Sequence, residues 1–242
     1  MKPPLTAGAW LRYDAIMSAL DGAPEVRSIL EVGCGLGALG ARLARRFDYT
    51  AVERDERSAS VARSRIEPLG GRVVTGDIEQ LGDAETFDAV CAFEVLEHVD
   101  DDGAALAAWR ARLSPRGLLV LSVPAFQRRF APWDAKVGHL RRYEPDALAR
   151  LVEGSGFTDV RWRLHGFVLG EALEAVRNRI AARQETGGTT GERTAASARV
   201  LQPPAWLGPA TWLATAPFRL VQRTPAGAGR GIGIVVGARR DD

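Results

Sequence analysis

Apolar and polar positions along the chain switch between two periods. From Trp10 to Leu20 the apolar residues fall at helical spacing and stop at "DGAP", which predicts a helix leading into the first strand. Short apolar runs then alternate with amphipathic ones. "SILEV" (28–32), "YTAVE" (49–53), "RVVTGD" (72–77), "FDAVCAF" (87–93) and "LLVLSVP" (118–124) read as five strands. Between them "LGALGARLARRF" (36–47), "ERSASVARSRIEPLG" (56–70) and "DGAALAAWRARLSPRG" (102–117) read as helices, the last two with Pro and Gly at their ends. Such alternation predicts an α/β, doubly wound parallel sheet with helices on both faces, its ligand held by the loops at the carboxyl ends of the strands.

The rhythm breaks after Pro124. Residues 125–144 are polar, aromatic and without a period, and are expected to form a substrate loop. A helix starting at Pro145 and ending at "GSG", a sixth strand "TDVRWRL" (158–164) and a last strand "GIGIVVGARR" (231–240) follow. The interval 166–229 holds a helical stretch from Phe167 to Arg183, a polar "QETGGTTGERTAAS" segment expected to be mobile, and a second helical stretch from Trp206 to Val221. It reads as a helical lid inserted between strands six and seven. The whole chain, 1–242, is expected to be one domain, with 1–27 as its N-terminal helical lead-in.

Composition narrows the function. The formal net charge is +2, and the cations are almost all arginines scattered among nearly as many acids, so no basic patch for a nucleic-acid partner is expected. Cys34 and Cys91 lie far apart within strand-end segments and without metal-like spacing, so they read as core residues in a reducing compartment. With no leader pattern and no apolar run of membrane-spanning length, the chain is expected to be cytoplasmic.

The chemistry centres on "ILEVGCGLGALG" (29–40). Gly35, Gly37 and Gly40 spell the dinucleotide fingerprint, and Glu53 ends the next strand 18 residues after Gly35, so a nicotinamide oxidoreductase is one reading. The other phase, Glu31-x-Gly33-x-Gly35, sets an acid just ahead of the loop. An acid there repels a pyrophosphate and attracts the ammonium and sulfonium of S-adenosylmethionine. Glu53 suits a pair of ribose hydroxyls, and "GDI" (76–78) suits an adenine, the acid taking the amino group and the next amide the ring.

Taken in order, "LEVGCGLG", "VERDE", "GDI", "FDAVCAFEVLEHV" and "LSPRGLLVLSVP" resemble the class I S-adenosylmethionine-dependent methyltransferases over about residues 28–165. The resemblance implies a Rossmann-like, mostly parallel sheet of seven strands with the last antiparallel. It also implies cofactor positions at Glu31, Gly33, Gly35, Glu53, Asp77, Ile78 and Phe93.

The segment after the fourth strand bears on the acceptor. Base-methylating relatives in this family carry a "DPPY"- or "NPPY"-like tetrapeptide where this chain has "FEVL", whereas "EVLEHV" is similar to the small-molecule O-methyltransferases of the ubiquinone-biosynthesis type. A small-molecule or glycan-like hydroxyl is the acceptor this implies. A phenol of pKa ~10 needs a base or a metal to lose its proton. His98 and His139 are the candidate bases, while His165, among apolar residues at a strand end, reads as a packed or capping histidine.

If Glu94 opens a helical turn, Glu97 and His98 lie on its face. Completed by His139, these four could bind a divalent ion such as Mg, Mn or Zn, an arrangement similar to the Glu-x-x-Glu-His turn of small-RNA terminal 2′-O-methyltransferases at those positions alone. In the metal-free alternative Glu97 caps a neighbouring helix and His98 is the base. In "DAKVGHLRRY" (134–143), Arg141 or Arg142 with Tyr143 is placed to meet a carboxylate or phosphate on the acceptor, or else the loop is simply solvated. Trp206, Trp212, Phe167 and Phe218 either close over the site or belong to the core. Two further readings stay open. "PPAWLGPATWLATAPFRLVQR" could lie in a membrane interface and serve a lipid-linked acceptor, and the fold could be a non-catalytic interaction module.

Overall fold

The computed structural model describes residues 3–183, 204–224 and 229–242. Its strands are β1 (Ser28–Val32), β2 (Asp48–Glu53), β3 (Arg72–Thr75), β4 (Phe87–Phe93), β5 (Leu113–Pro124), β6 (Phe157–Gly166) and β7 (Gly231–Arg240). They form one seven-stranded sheet in the order β3-β2-β1-β4-β5-β7-β6. All neighbours pair in parallel except β7, which wedges between β5 and β6 and runs antiparallel to both. The mostly parallel sheet and antiparallel last strand are those expected.

The helices are α1 (Ala7–Asp21), α2 (Gly40–Leu43), α3 (Glu56–Ile66), α4 (Asp102–Ala111), α5 (Pro132–Val137), α6 (Pro145–Gly154), α7 (Leu169–Ala181) and α8 (Gly208–Val221). Successive strand residues feed two cores. Ile29, Ala89, Cys91 and Val120 pack on one side with Ile16, Leu20 and Ile66, while Leu30, Val90, Ala92 and Leu121 pack on the other with Leu106, Trp109 and Val152. A strand buried on both faces needs apolar residues at consecutive positions, which is why these segments read as unbroken runs. Cys34 and Cys91 are buried, free thiols.

Three boundaries differ from the sequence reading. The helix expected over 36–47 is reduced to α2, because Gly33, Gly35 and Gly37 all have positive φ and a right-handed helix cannot begin until they are past. The helix expected over 102–117 stops at Ala111, because Leu113 is drawn into register with Phe87 and Arg116, at φ +56°, turns the chain. The loop 125–144 is not wholly irregular: Pro132 starts the short helix α5, which Gly138 ends in the left-handed conformation.

The two helical stretches of the 166–229 interval separate. Helix α7 lines the central cavity through Gly170, Glu174 and Arg177, whereas none of the described residues of 204–224 lines it. Helix α8 instead lies on α1, where Gln222 donates to the Leu11 carbonyl (3.0 Å) and Arg223 pairs with Asp14. Trp206 and Trp212 are exposed. The segment Gln184–Ser197, expected to be mobile, lies outside the described residues. Among the described residues no helix is long and apolar enough to cross a membrane.

Candidate active site

The strand order reverses at β1, flanked by β2 and β4, and the crevice beyond its carboxyl end opens into a cavity of about 1160 Å³. Pockets for one drug-sized molecule run ~300–1,000 Å³, so this one has room for two ligands side by side.

One end is built by the glycine loop. Gly33 has φ +72°, and a Cβ there would come within 2.8 Å of Val95 Cγ2, so no other residue fits without strain. The backbone amide of Gly35 donates to Glu53 Oε2 (2.8 Å) and that of Asp55 to Oε1 (2.9 Å), which fixes the Glu53 carboxylate at the mouth of the loop. Glu31 is buried in the strand below and accepts a 2.5 Å hydrogen bond from Tyr49. Burial pushes its carboxyl up to about 7, with the Tyr49 bond and the Arg12 charge opposing. Past Glu53, at the end of β3, Asp77 pairs with Arg54, and Ile78 and Phe93 line the cavity.

This end fits S-adenosylmethionine on its own terms. A carboxyl whose ionisation is suppressed by burial gains from the approach of an ammonium group. The glycine backbone admits close approach, and Glu53 and Asp77 face the same cavity.

The segment after β4 departs from expectation. Glu94 does not open a helical turn; its φ is +58° and the turn forms only over Leu96–His98. Glu94 therefore parts from Glu97 and His98. Its carboxylate accepts from Ser122 Oγ (3.1 Å) and pairs with Arg12 of α1 at 3.2 Å.

Glu97, His98 and His139 do come together. One ligand atom from each lies within 4.8 Å of the other two, with Glu94 outside the group. The rings of His98 and His139 meet edge to face with centroids 4.8 Å apart. His98 Nδ1 lies 3.0 Å from the Gly138 carbonyl, which can only accept, so its Nε2 carries the lone pair. Burial, and then the neighbouring His139, push its pKa down to about 4, which leaves the ring neutral. Glu97 is wholly buried, and neither carboxyl oxygen has a hydrogen-bond partner. Burial and the Glu94 charge push its pKa well above the usual carboxylate range.

His139 is oriented from behind. Its Nδ1 lies 2.8 Å from Asp134 Oδ1, and its Nε2 is 3.7 Å from Glu97 Oε1. Although burial works against ionisation, the bonds from His139 and Arg142 hold Asp134 down to about 2. An ionised Asp134 accepts the Nδ1 proton, so in the neutral His139 ring the lone pair lies on Nε2. Behind it Arg142 spans Asp134 (2.7 Å) and Glu174 (2.6 Å), and Arg129 also pairs with Glu174.

The arginines expected to meet the acceptor are thus otherwise engaged. Arg142 is buried in its two ion pairs, and Arg141 binds Asp102 and the Asp100 carbonyl. Tyr143 bonds Asp102 and the Leu96 carbonyl. His165 is buried in the cavity wall as expected of a packed residue, yet neither ring nitrogen has a partner. The sequence reading missed Arg12, Trp133, Glu174 and Arg177, all of which line the cavity. Arg12, Glu174 and Arg177 stand on helices far from the motifs, where no local spacing marks them, and Trp133 directly precedes the 134–143 segment.

Comparison with known proteins agrees with this layout. The family described as "Methyltransferase domain" matches residues 10–161. The ubiquinone biosynthesis O-methyltransferase of Alkalilimnicola ehrlichii is 36% identical over 117 residues, 46% of this chain and 47% of that protein, so the match spans about half of the relative. The protein of the same name from Idiomarina loihiensis is 30% identical over 171 residues, 60% of this chain and 70% of its own. The N-methyltransferase NodS of Bradyrhizobium japonicum, solved with S-adenosyl-L-homocysteine, superposes with a TM-score of 0.59 over 96% of this chain and 86% of its own, at 16% identity, a likeness of fold. A family match over most of the sheet, on a strand order whose switch point carries the glycine loop and its carboxylates, makes this chain a class I methyltransferase with S-adenosylmethionine as its methyl donor.

Proposed function

We propose that this chain methylates a hydroxyl oxygen of a small-molecule or glycan-like acceptor, and that His139 takes the hydroxyl proton. The observation that carries the reading is the Asp134–His139 pair in the cavity beyond the glycine loop, with the neutral His98 ring beside it. Bound S-adenosylmethionine supplies a methyl carbon already activated by its sulfonium, so the protein's task is alignment and proton removal. His139 Nε2 accepts the proton as the O–CH₃ bond forms and the S–CH₃ bond breaks, and Asp134 stabilises the resulting imidazolium. A hydroxyl needs this help more than a neutral amine, which already offers its lone pair. The O-methyltransferase names of the two relatives support the same acceptor class.

Residue by residue, the reading gives Glu31 the cofactor's ammonium, Gly33 and Gly35 the loop, Glu53 the ribose, and Asp77, Ile78 and Phe93 the adenine end. The test is to incubate the chain with methyl-labelled S-adenosylmethionine and a panel of catechols, phenols, sugars and primary amines, and to locate the label by mass spectrometry. Methyl ethers are expected. Label on amines alone would overturn the reading.

A second reading adds a metal, favoured by one observation: the two unpartnered oxygens of Glu97 beside two imidazole nitrogens. Glu97, His98 and His139 would hold a divalent ion, which lowers the pKa of a bound hydroxyl and leaves less for a protein base to do. Activity that survives exhaustive chelation, with no gain on adding magnesium, manganese or zinc, would eliminate it.

A further inference from the structure

Among the described residues, most of the arginines at the acceptor half of the cavity are paired with carboxylates. Arg12 is matched by Glu94, and Arg142 and Arg129 by Asp134 and Glu174. Arg177 is left over. Among the described residues its guanidinium forms no ion pair, and its Nε is buried without a hydrogen-bond partner. Its guanidinium lies over the Trp133 ring, 5.5 Å from the centroid, a contact that holds the group without neutralising it.

The helix that carries Arg177 is fastened on both sides. Glu174, one turn earlier, is bound by Arg142 and Arg129, and Asn178, the next residue, accepts from the Trp133 backbone amide (3.2 Å). A second group on the same wall is also unanswered. His165 is 6% exposed, and both its ring nitrogens lack partners. His165 and Arg177 share Glu94 and Arg12 as charged neighbours, so the two belong to one region of the cavity.

We propose that Arg177, over Trp133, is a binding site for an oxyanion, and that the acceptor therefore carries a carboxylate or a phosphate group in addition to the atom that is methylated. The proposal deepens the acceptor reading and rests on it for the position of the reacting oxygen. A planar guanidinium offers two parallel donors to either oxyanion, and a cation held with no partner in a partly buried site is relieved by one. His165, neutral, offers one donor and one acceptor to the same molecule. Arg177 is a specificity-determining residue on this account, and the reacting proton does not pass through it.

The test measures binding alone, with the cofactor end filled by S-adenosyl-L-homocysteine. Benzoate, phenyl phosphate and neutral benzyl alcohol are titrated calorimetrically into the wild type, Arg177→Gln and Arg177→Lys. At least one anion is expected to bind the wild type ~10-fold or more tighter than benzyl alcohol, the range of a charge-assisted contact. Whether benzoate or phenyl phosphate leads tells carboxylate from phosphate. The preference should collapse in Arg177→Gln and survive in part in Arg177→Lys, with S-adenosyl-L-homocysteine affinity unchanged in both, which also shows that the variants are folded. No anion preference in the wild type, or one that Arg177→Gln leaves intact, overturns the proposal. Failure of the acceptor reading is separable. An anion preference that Arg177 controls, in a chain that labels amines alone, keeps the subsite and rejects the hydroxyl.

Discussion

Replacing Glu31 by Gln should make the ligand-free protein more stable and the cofactor weaker. The Glu31 carboxyl lies inside β1, one strand from Tyr49 and Ala51, and burial raises its pKa from 4.5 to about 7. Between those values the folded chain keeps a proton that the unfolded chain has released. Its contribution to stability therefore falls as pH rises through that window and stays lost above it. The rise corresponds to a cost of about 3 kcal/mol for the ionised side chain above pH 7.

Gln keeps an oxygen for the Tyr49 hydroxyl and carries no charge. At pH 8 the variant should gain up to ~3 kcal/mol, or roughly 6–12 °C in Tm for a chain of this size, and near pH 5 it should match the wild type. The same substitution removes the proposed partner of the cofactor's ammonium, so calorimetric affinity for S-adenosyl-L-homocysteine should fall ~10-fold or more. Wild-type affinity should also weaken by ~10-fold per pH unit below 7, and the variant's should not. Urea denaturation at pH 5 and 8, with titrations at pH 6 and 8, covers both halves. A variant no more stable than the wild type at pH 8, or one that binds the cofactor product as tightly, would refute the reasoning.

Gly33→Ala should cost ~1–2 kcal/mol for its left-handed backbone, and more for the approach to Val95, with cofactor affinity lost alongside; a fully active, equally stable variant would contradict the tight loop. Asp134→Asn strips Arg142 of one of its two ion pairs and should destabilise by ~3–5 kcal/mol in urea, a loss under 1 kcal/mol counting against a buried network. His139→Gln should lower kcat by ~10²–10⁴ and leave cofactor binding in place, and a normal rate would remove it as the base.

The sequence by itself determined what local pattern can carry. The strands of the parallel sheet are legible because a strand covered on both faces must be apolar at consecutive positions, and their order in the chain identifies the family. The proposed cofactor end could be marked out for a related reason: Glu31, the glycines, Glu53 and Asp77 sit at strand ends and in the loops that follow, where fold and motif coincide. Tertiary structure decided the acceptor end. The positive φ of Glu94 breaks the expected i, i+3, i+4 face and gives that carboxylate to Arg12, a residue 82 positions away. Arg142 was legible as a candidate for the acceptor, but Asp134 and Glu174 claim it once α5 and α7 meet. Among the described residues lining that end, Arg177 is left without an ion-pair partner. Which of several arginines is neutralised depends on which carboxylates the packed helices bring within about 3 Å, and spacing along one helix or loop holds no record of contacts between elements.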